Sequence, residues 1–245
     1  MISIKTPEEI EKIAKAGKIA NQALNKALEA VKPGVTLSEI DKIVDDFIAN
    51  KGAKAGFKTV DGYDYATCIN VNEGLVHGIP NDYVLNEGDL VSIDLGVYLD
   101  GWHSDLSYTT EVKTNKHKEF LQVGKDALEA GIKEFKVGNR LGDIGYAIQK
   151  VVEDAGYTVS RDLVGHGIGE EIHEKPYVPG YGISGKGLKL KEGMVFAVEV
   201  IYQKGDPEME IIDDDWTIVT KDGSLAGLFE DTVALTKNGP KILTK

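Results

Sequence analysis

Cysteine is almost absent from this 245-residue chain, because Cys68 is the only one. A single cysteine excludes an intrachain disulfide and also a zinc site built from clustered thiolates. Any metal site in this chain must therefore use histidine and carboxylate ligands.

Basic residues are also in deficit, with 28 Lys and Arg against 40 Asp and Glu, which gives a formal net charge of −12. Proteins that bind nucleic acid along its phosphate backbone need clustered positive charge. The composition therefore argues against DNA as a partner.

Long apolar runs are missing as well. The N-terminal residues contain no apolar segment typical of a signal peptide, and no later stretch approaches the roughly 18 apolar residues of a membrane span. We therefore expect a cytoplasmic protein with no membrane partner. The glycine-rich residues 165–187 contain one GxGxxG spacing, at Gly180 to Gly185, and no GxxxxGK[ST]. A GxGxxG with no predicted strand before it and no predicted helix after it does not predict a phosphate-binding loop.

The chain contains 42% hydrophobic and 28% charged residues, which is typical of a globular protein with a sizeable core. Two capping boxes, at Thr6 to Glu9 and at Thr36 to Glu39, each predict the start of a helix. Helical patterns predict four helices, from Pro7 to about Val31, from Thr36 to near Gly52, from Lys116 to about Phe135 and from Leu141 to Ala155. Strands are predicted at Met194–Gln203, Trp216–Thr220 and Leu228–Thr236.

Residues 90–110 predict a β-hairpin with two acids on one face. Apolar and polar residues alternate before an Asp100-Gly101 turn, a pair that accepts the positive φ values of a two-residue hairpin loop. This turn places Asp94 opposite Ser107, so Asp94 and Asp105 become diagonal neighbours about 7–8 Å apart at the backbone.

Two interpretations of these acids stay open from the hairpin alone. They are the solvated face of a half-exposed hairpin, or they are a buried pair that requires a proton or a cation between them. The choice depends on whether other ligand residues occur elsewhere in the chain.

The two halves of the chain share a weak repeat. Gly34-x-x-Leu37 matches Gly138-x-x-Leu141 at an offset of 104, and Asp94 matches Glu199 at an offset of 105. We therefore predict one catalytic domain, 1–245, with related halves at about 1–113 and 114–245, in which these two acids meet near the pseudo-symmetry axis.

Four more residues join the hairpin acids as candidates: His166, His173, Glu199 and Glu230. The glutamates lie in apolar strand patterns, where an unpaired carboxylate is costly. Taken alone, each glutamate is compatible with a structural role as a buried acid that has hydrogen-bond partners. His166 alone is compatible with a structural role in a glycine-rich loop. Together, these acids and histidines are typical of a site for two divalent metal ions.

Five motifs carry a family resemblance that covers nearly the whole chain, in order: VHGIP at His77, SIDLGVYLDGWHSD at Asp94 and Asp105, GHGIGEEIHEKP at His166 and His173, AVEV at Glu199, and FEDT at Glu230. In these motifs the chain resembles the bacterial type I methionine aminopeptidases of peptidase family M24.

The resemblance implies the pita-bread fold. This fold is an α/β (α+β) arrangement of two pseudo-symmetric halves with curved antiparallel sheets and flanking helices, which agrees with the repeat.

The resemblance also implies a set of five metal ligands: Asp94, Asp105, His166, Glu199 and Glu230. By the same resemblance, Asp105 and Glu230 bridge two divalent ions, and Asp94 and Glu199 each serve one ion. Co, Mn, Fe, Zn and Ni are all compatible with such ligands, so the identity of the ion stays open.

The implied activity is removal of the N-terminal methionine from nascent proteins and peptides, by attack of metal-activated water on the first peptide bond. Glu199 is the candidate general base, and His77 and His173 are candidate catalytic and substrate-binding residues. Tyr63, Cys68 and Trp216 match positions of the methionine pocket. The implied partners are peptide or nascent polypeptide substrates with N-terminal Met and the ribosome, and we expect a monomer.

Four residues depart from the family pattern. Asp231 stands where the family has His, Val200 where it has Pro, Leu106 where it has Thr, and Ile172 where an aromatic residue is expected. None of them is an expected metal ligand. We expect Asp231 to add negative charge near the ions if its side chain points inward, and Ile172 to reshape part of the methionine pocket.

Two alternative functions stay open. The first is an Xaa-Pro peptidase of the same fold, such as aminopeptidase P or prolidase, which shares the five ligands but resembles longer chains. The second is a pita-bread binding protein with impaired catalysis, although such proteins typically lose ligands. Cleavage of an Xaa-Pro peptide would favour the first, and metal binding without peptide cleavage the second.

Overall fold

The computed structural model of this chain describes residues 2–245. This range contains four α-helices: α1 Pro7–Ala30, α2 Leu37–Asn50, α3 Lys118–Glu134 and α4 Leu141–Asp154. All four predicted helices are confirmed, and each end lies within two residues of its expected position. No helix of residues 2–245 combines the length and the apolar character needed to cross a bilayer.

The capping boxes explain why the first two helices were predictable. The Thr6 hydroxyl accepts a hydrogen bond from the Glu9 amide, and the Glu9 carboxylate accepts one from the Thr6 amide. Thr36 and Glu39 form the same reciprocal pair at α2. Each box satisfies two backbone N–H groups that have no partner inside the helix.

Thirteen strands lie within residues 2–245: β1 Lys54–Ala55, β2 Cys68–Val71, β3 Gly74–Val76, β4 Leu90–Leu99, β5 Trp102–Glu111, β6 Thr158–Val159, β7 Gly165–Gly167, β8 Glu174–Val178, β9 Val195–Gln203, β10 Met209–Ile211, β11 Ile218–Thr220, β12 Ala226–Thr236 and β13 Gly239–Ile242. The large sheet has the order β1-β4-β5-β12-β9-β7-β8, and β2, β6 and β13 pair at its margins. A small sheet has the order β10-β11-β3.

The predicted hairpin is confirmed with its register. Strands β4 and β5 pair Asp94 with Ser107 and Gly96 with Asp105. Asp100 and Gly101 have φ values of +50° and +89°, as a two-residue turn of this kind requires.

Helices cover one face of the large sheet. Helix α1 packs on β4 and β5 and is covered by α2, whereas α3 packs on β9 and β12 and is covered by α4. The apolar residues Ile93 on β4 and Phe196 on β9 point toward these helices into two separate cores. Asp105 on the other face is only 3% exposed, so the interpretation of the hairpin acids as a solvated face is wrong.

The two halves of the large sheet join where β5 meets β12. Only Ser107 with Glu230 and Leu106 with Asp231 form direct register pairs between these strands. At one end of this seam, the Thr232 hydroxyl accepts a hydrogen bond from the Asp105 amide and donates one to the Asp105 carbonyl. The seam therefore fixes Asp105 against the strand that carries Glu230.

Strands β7 and β8 were not predicted, because their glycines and polar residues show no two-residue alternation. The glycines are nevertheless needed, since a Cβ on Gly165 would lie 2.5 Å from the Ala197 carbonyl oxygen. The segment 77–80 is an irregular connection in which His77 has a φ of +58°.

Candidate metal centre and substrate pocket

A cavity of about 460 Å³ opens on the sheet face away from the helices. It brings together all of the residues predicted to act in the site: Tyr63, Cys68, His77, Asp94, Asp105, His166, His173, Glu199, Trp216 and Glu230. Their contributing segments are far apart in the chain, so the sheet assembles this cavity from both halves.

Three acids line up across four neighbouring strands. Asp94 pairs with Ser107, Ser107 with Glu230, and Glu230 with Glu199. We call these four residues the acid row. Because directly opposed residues share a face of the sheet, all four side chains project toward the cavity.

Asp105 and His166 lie beside the acid row. Ligand atoms of Asp105, His166 and Glu230 all fall within 4.8 Å of one another, and all three residues are buried. The Nε2 atom of His166 lies 4.0 Å from Oδ2 of Asp105. Two carboxylates and one imidazole at this separation form an arrangement that can hold a metal ion.

The ring of His166 is set in the tautomer that a metal ligand requires. Its Nδ1 lies 2.9 Å from the Gly167 carbonyl oxygen, which can only accept, so Nδ1 carries the hydrogen. Burial, with a further contribution from His173, lowers the pKa of His166 to about 3. At neutral pH the ring is therefore uncharged, and the lone pair of Nε2 faces the acids.

The carboxylates of the site are held away from water without compensating positive charge. Burial is the main reason why the pKa values of Asp94, Asp105 and Glu230 are raised well above their usual range, and repulsion between neighbouring carboxylates adds to it. Burial also raises the pKa of Glu199 to about 7. Such a cluster stabilises bound cations, because cations remove the repulsion.

Unpaired oxygens in the cluster support a cation site. Oδ1 of Asp94, Oδ1 of Asp105 and Oε1 of Glu230 are buried and accept no hydrogen bond from residues 2–245. Buried polar atoms without a partner are uncommon in proteins and often mark an ion position. The donor set fits divalent metals that accept oxygen and imidazole ligands.

The other two predicted histidines, His77 and His173, line the same cavity. The ring of His173 packs edge-on against that of His166, with centroids 4.5 Å apart. Burial lowers the pKa of both His77 and His173, so both are neutral at neutral pH. A neutral imidazole can donate one hydrogen bond and accept another.

An apolar pocket adjoins the acids. Tyr63 and Trp216 meet edge-on with ring centroids 5.0 Å apart, and Cys68 lies on β2 directly opposite Asp94. Burial and the nearby Asp94 charge raise the pKa of the Cys68 thiol well above its usual value, so it stays protonated and serves as a small apolar group.

Phe57 is a pocket residue that the sequence analysis missed. It lies in a short 3₁₀ helix, Phe57–Thr59, and its ring meets Tyr63 edge-on at 6.4 Å. A Cβ on Gly96 would lie 2.9 Å from Ile172 and 3.2 Å from Phe57, so both side chains pack over this glycine. No motif marks Phe57, because its segment is irregular.

The remaining departures from the family pattern lie on the helix side of the sheet. Leu106 and Val200 are buried in the two helix-side cores. Asp231 also faces away from Glu230, and its carboxylate accepts a hydrogen bond from the Thr244 hydroxyl at 2.7 Å and lies 3.2 Å from the Lys245 ammonium. The condition that Asp231 points inward is therefore not met.

Lys5 is a second residue that the sequence analysis missed. Its ammonium lies 2.6 Å from the carboxylate of Glu174, the residue after His173. The same carboxylate accepts a hydrogen bond from the Glu170 amide. These contacts tie the loop that carries His173 to the start of the chain, a long-range pairing that no local sequence pattern indicates.

Comparison with known proteins places this arrangement in a family. The sequence model described as metallopeptidase family M24 matches residues 11–237. A methionine aminopeptidase from Clostridium perfringens is 44% identical over 246 residues, covering 100% of this chain and 99% of that protein. These matches confirm the resemblance on which the sequence analysis relied.

Solved structures give the same result for the fold. The methionine aminopeptidase from Thermotoga maritima matches with a TM-score of 0.97 at 44% identity and covers 100% of both chains. The prolidase from Pyrococcus horikoshii matches with a TM-score of 0.80 at 29% identity, covering 99% of this chain and 63% of that one. The predicted pita-bread fold is therefore confirmed.

A buried cluster of carboxylates and imidazole, an adjoining apolar pocket and full-length matches in sequence and structure agree with one another. The chain belongs to metallopeptidase family M24, among the methionine aminopeptidases.

Proposed function

We propose that this protein is a metalloaminopeptidase that removes the N-terminal methionine from peptides and nascent polypeptides. The observation that carries the proposal is the acid row, with its unpaired buried oxygens, beside a pocket formed by Tyr63, Cys68 and Trp216. A cation site beside an apolar pocket suits a substrate whose first side chain is apolar and whose first peptide bond must be hydrolysed.

Charge balance supports two divalent ions. The four carboxylates of Asp94, Asp105, Glu199 and Glu230 carry four negative charges when ionised, and His166 is neutral. Two divalent cations neutralise this cluster completely, whereas one leaves a buried excess of negative charge. Asp94, Asp105, His166, Glu199 and Glu230 would hold the two ions.

Divalent ions held there supply the Lewis acidity that makes hydroxide available from water near neutral pH. Glu199 removes the proton from the attacking water and then delivers it to the leaving amine. His173 donates a hydrogen bond to the carbonyl oxygen as negative charge develops there. His77 holds the substrate backbone on the opposite side of the cavity.

The methionine side chain occupies the pocket of Tyr63, Cys68 and Trp216, with Phe57 on one wall. Co, Mn, Fe, Zn and Ni are all candidates for the ions, because each accepts carboxylate and imidazole ligands. A cytoplasmic location stays a prediction from the sequence composition, and a monomeric state and contact with the ribosome stay predictions from the family resemblance.

The direct test is methionine release from Met-Ala-Ser by the metal-free protein supplied with Co²⁺ or Mn²⁺. We expect release by the wild type and a loss of about 10²–10⁴-fold in kcat for Glu199→Gln, since a positioned base contributes a factor of that size. Asp231→Asn is the matched control, because Asp231 is a buried acid that faces away from the cavity.

Three outcomes would contradict the proposal or part of it. An unchanged rate of methionine release by Glu199→Gln would contradict the assignment of Glu199 as the general base. Metal binding without release of methionine would favour a binding protein. Faster cleavage of an Xaa-Pro dipeptide than of Met-Ala-Ser would favour the prolidase-like activity that the structural likeness to a prolidase also suggests.

A further inference from the structure

One of the four residues of the acid row, Ser107, is a serine and not an acid. Ser107 pairs directly with Asp94 on one side and with Glu230 on the other. It is only 2% exposed, and its Oγ makes no hydrogen bond with any of residues 2–245. A buried hydroxyl without a partner costs free energy, so this position requires an explanation.

The two acids beside Ser107 have acceptor oxygens that lack a donor. Oδ1 of Asp94 and Oε1 of Glu230 are buried acceptors that receive no hydrogen bond from the described part of the chain, whereas Ser107 offers a donor. Directly opposed residues on one face of an antiparallel pair have Cβ atoms about 4.5–5.5 Å apart. In this structure neither acid is placed to accept a hydrogen bond from the Ser107 hydroxyl. The bond therefore requires a change of side-chain rotamer at Ser107 or at the acid, over a Cβ separation that such a change can span.

A comparison with Thr232 shows that only one of two similar hydroxyls is free. Thr232 follows Glu230 by two residues, as Ser107 follows Asp105 by two. The Thr232 hydroxyl is fully engaged with the amide and carbonyl of Asp105. The Ser107 hydroxyl has no such engagement with the backbone opposite it, so it remains available to side chains.

We infer that Ser107 is a positioning residue: after this change of rotamer its hydroxyl donates a hydrogen bond to the carboxylate of Asp94 or Glu230 and orients it toward a bound divalent ion. Ser107 itself touches neither substrate nor metal. The inference rests on the proposed function, because it assigns these two acids as metal ligands. Partners that orient metal ligands typically contribute 10–100-fold to metal affinity.

The variants isolate the hydroxyl from the size of the side chain. Ser107→Ala removes the donor, whereas Ser107→Thr and Ser107→Val have the same shape and differ only in whether the hydroxyl is present. Ser104→Ala is the matched control, because Ser104 is a buried serine of the same strand whose Oγ also makes no hydrogen bond within residues 2–245, but which points to the opposite face.

The experiment measures Co²⁺ affinity of each metal-free protein by calorimetry, the visible spectrum of the Co²⁺ form, and thermal unfolding. We expect Ser107→Ala and Ser107→Val to bind Co²⁺ about 10–100-fold more weakly with an altered spectrum. Ser107→Thr and Ser104→Ala should retain wild-type affinity and spectrum. Similar melting temperatures for Val and Thr variants would show that the loss is not caused by unfolding.

Wild-type affinity and an unchanged spectrum in both Ser107→Ala and Ser107→Val would overturn this inference while leaving the proposed function intact. Equal weakening in the Thr and Val variants would also overturn it, because steric change would then explain the loss. If the wild type itself neither bound Co²⁺ nor released methionine from Met-Ala-Ser, both the proposed function and this inference would fail.

Discussion

Glu230 and Asp231 are adjacent buried acids that face opposite sides of the large sheet. On the helix side, Asp231 is partnered by the Thr244 hydroxyl and by the Lys245 ammonium. On the cavity side, Glu230 has only other acids as charged neighbours, and one of its oxygens receives no hydrogen bond from residues 2–245. The molecule thus satisfies one carboxylate internally and leaves the other for a cation.

The difference separates an acid with internal partners from one that we propose binds a cation. The hydroxyl and the ammonium offset part of the cost of burying the Asp231 carboxylate, although burial still raises its pKa. A buried cluster of carboxylates without such partners destabilises the metal-free fold and is retained where it binds something. Substitutions on the cavity side should therefore change metal affinity, whereas substitutions on the helix side should change the free energy of unfolding.

The largest effect should come from Asp105→Asn, because Asp105 is a proposed metal ligand held at the seam. We expect Co²⁺ affinity to fall by more than the roughly 10–100-fold that removal of an outer partner causes, and methionine release to be lost. Asp231→Asn removes the neighbouring buried acid of the other face and should leave Co²⁺ binding close to wild type. Calorimetry measures the Co²⁺ affinity of both proteins. Equal losses of affinity would contradict the distinction between the acids of the two faces.

Thermal stability of the metal-free protein should depend on pH through the cavity acids. Burial raises the pKa of Glu199 from 4.5 to about 7, so the folded state binds more protons than the unfolded chain between these values. Raising the pH through this window should lower the melting temperature, and added Co²⁺ should restore it near neutral pH.

Glu199→Gln is the control for this dependence, since glutamine does not titrate. Its metal-free melting temperature should decline less over the same pH range. Identical pH profiles for wild type and variant in the presence of a chelator would show that Glu199 is not the group responsible.

A smaller effect should follow from Gly96→Ala, which adds a methyl group on the cavity side. The new Cβ would lie 2.9 Å from Ile172 and 3.2 Å from Phe57, so both side chains must shift, and Phe57 lines the pocket. We expect KM for Met-Ala-Ser to rise about 10-fold, as for a change of one methyl-sized group in an apolar pocket. Steady-state kinetics showing a loss in kcat alone would contradict this explanation.

The smallest effect on activity should come from Thr244→Val on the helix side. This change removes the hydrogen bond to Asp231 and should lower the free energy of unfolding by about 1–3 kcal/mol. Denaturant titration measures this loss, and Co²⁺ affinity should stay unchanged. A weakened metal site would show that the two faces are coupled through β12.

The hairpin illustrates what local sequence patterns can predict. Asp100-Gly101 sets the turn, the turn sets the register, and the register places Asp94 and Asp105 on one face. The capping boxes at Thr6 and Thr36 likewise define helix starts from adjacent residues. These features depend on interactions within a few residues or across one turn.

Other parts of the site depend on contacts that the sequence does not display. The short strand that carries His166 consists of a histidine between two glycines, and tertiary packing against Ala197 determines its conformation. Phe57 reaches the pocket from an irregular segment, and Lys5 reaches Glu174 across most of the chain. Asp231 directly follows Glu230 in a strand, so its opposite direction follows from strand alternation once Glu230 is placed in the cavity.

The central claim is that the cavity acids bind divalent cations on which peptide hydrolysis depends. The most direct measurement follows methionine release from Met-Ala-Ser while Co²⁺ is titrated into the metal-free wild type. We predict no release at the start, a rise as Co²⁺ binds, and saturation at about two ions per chain. Full release in the presence of a chelator, or no Co²⁺ binding at any concentration, would contradict the claim.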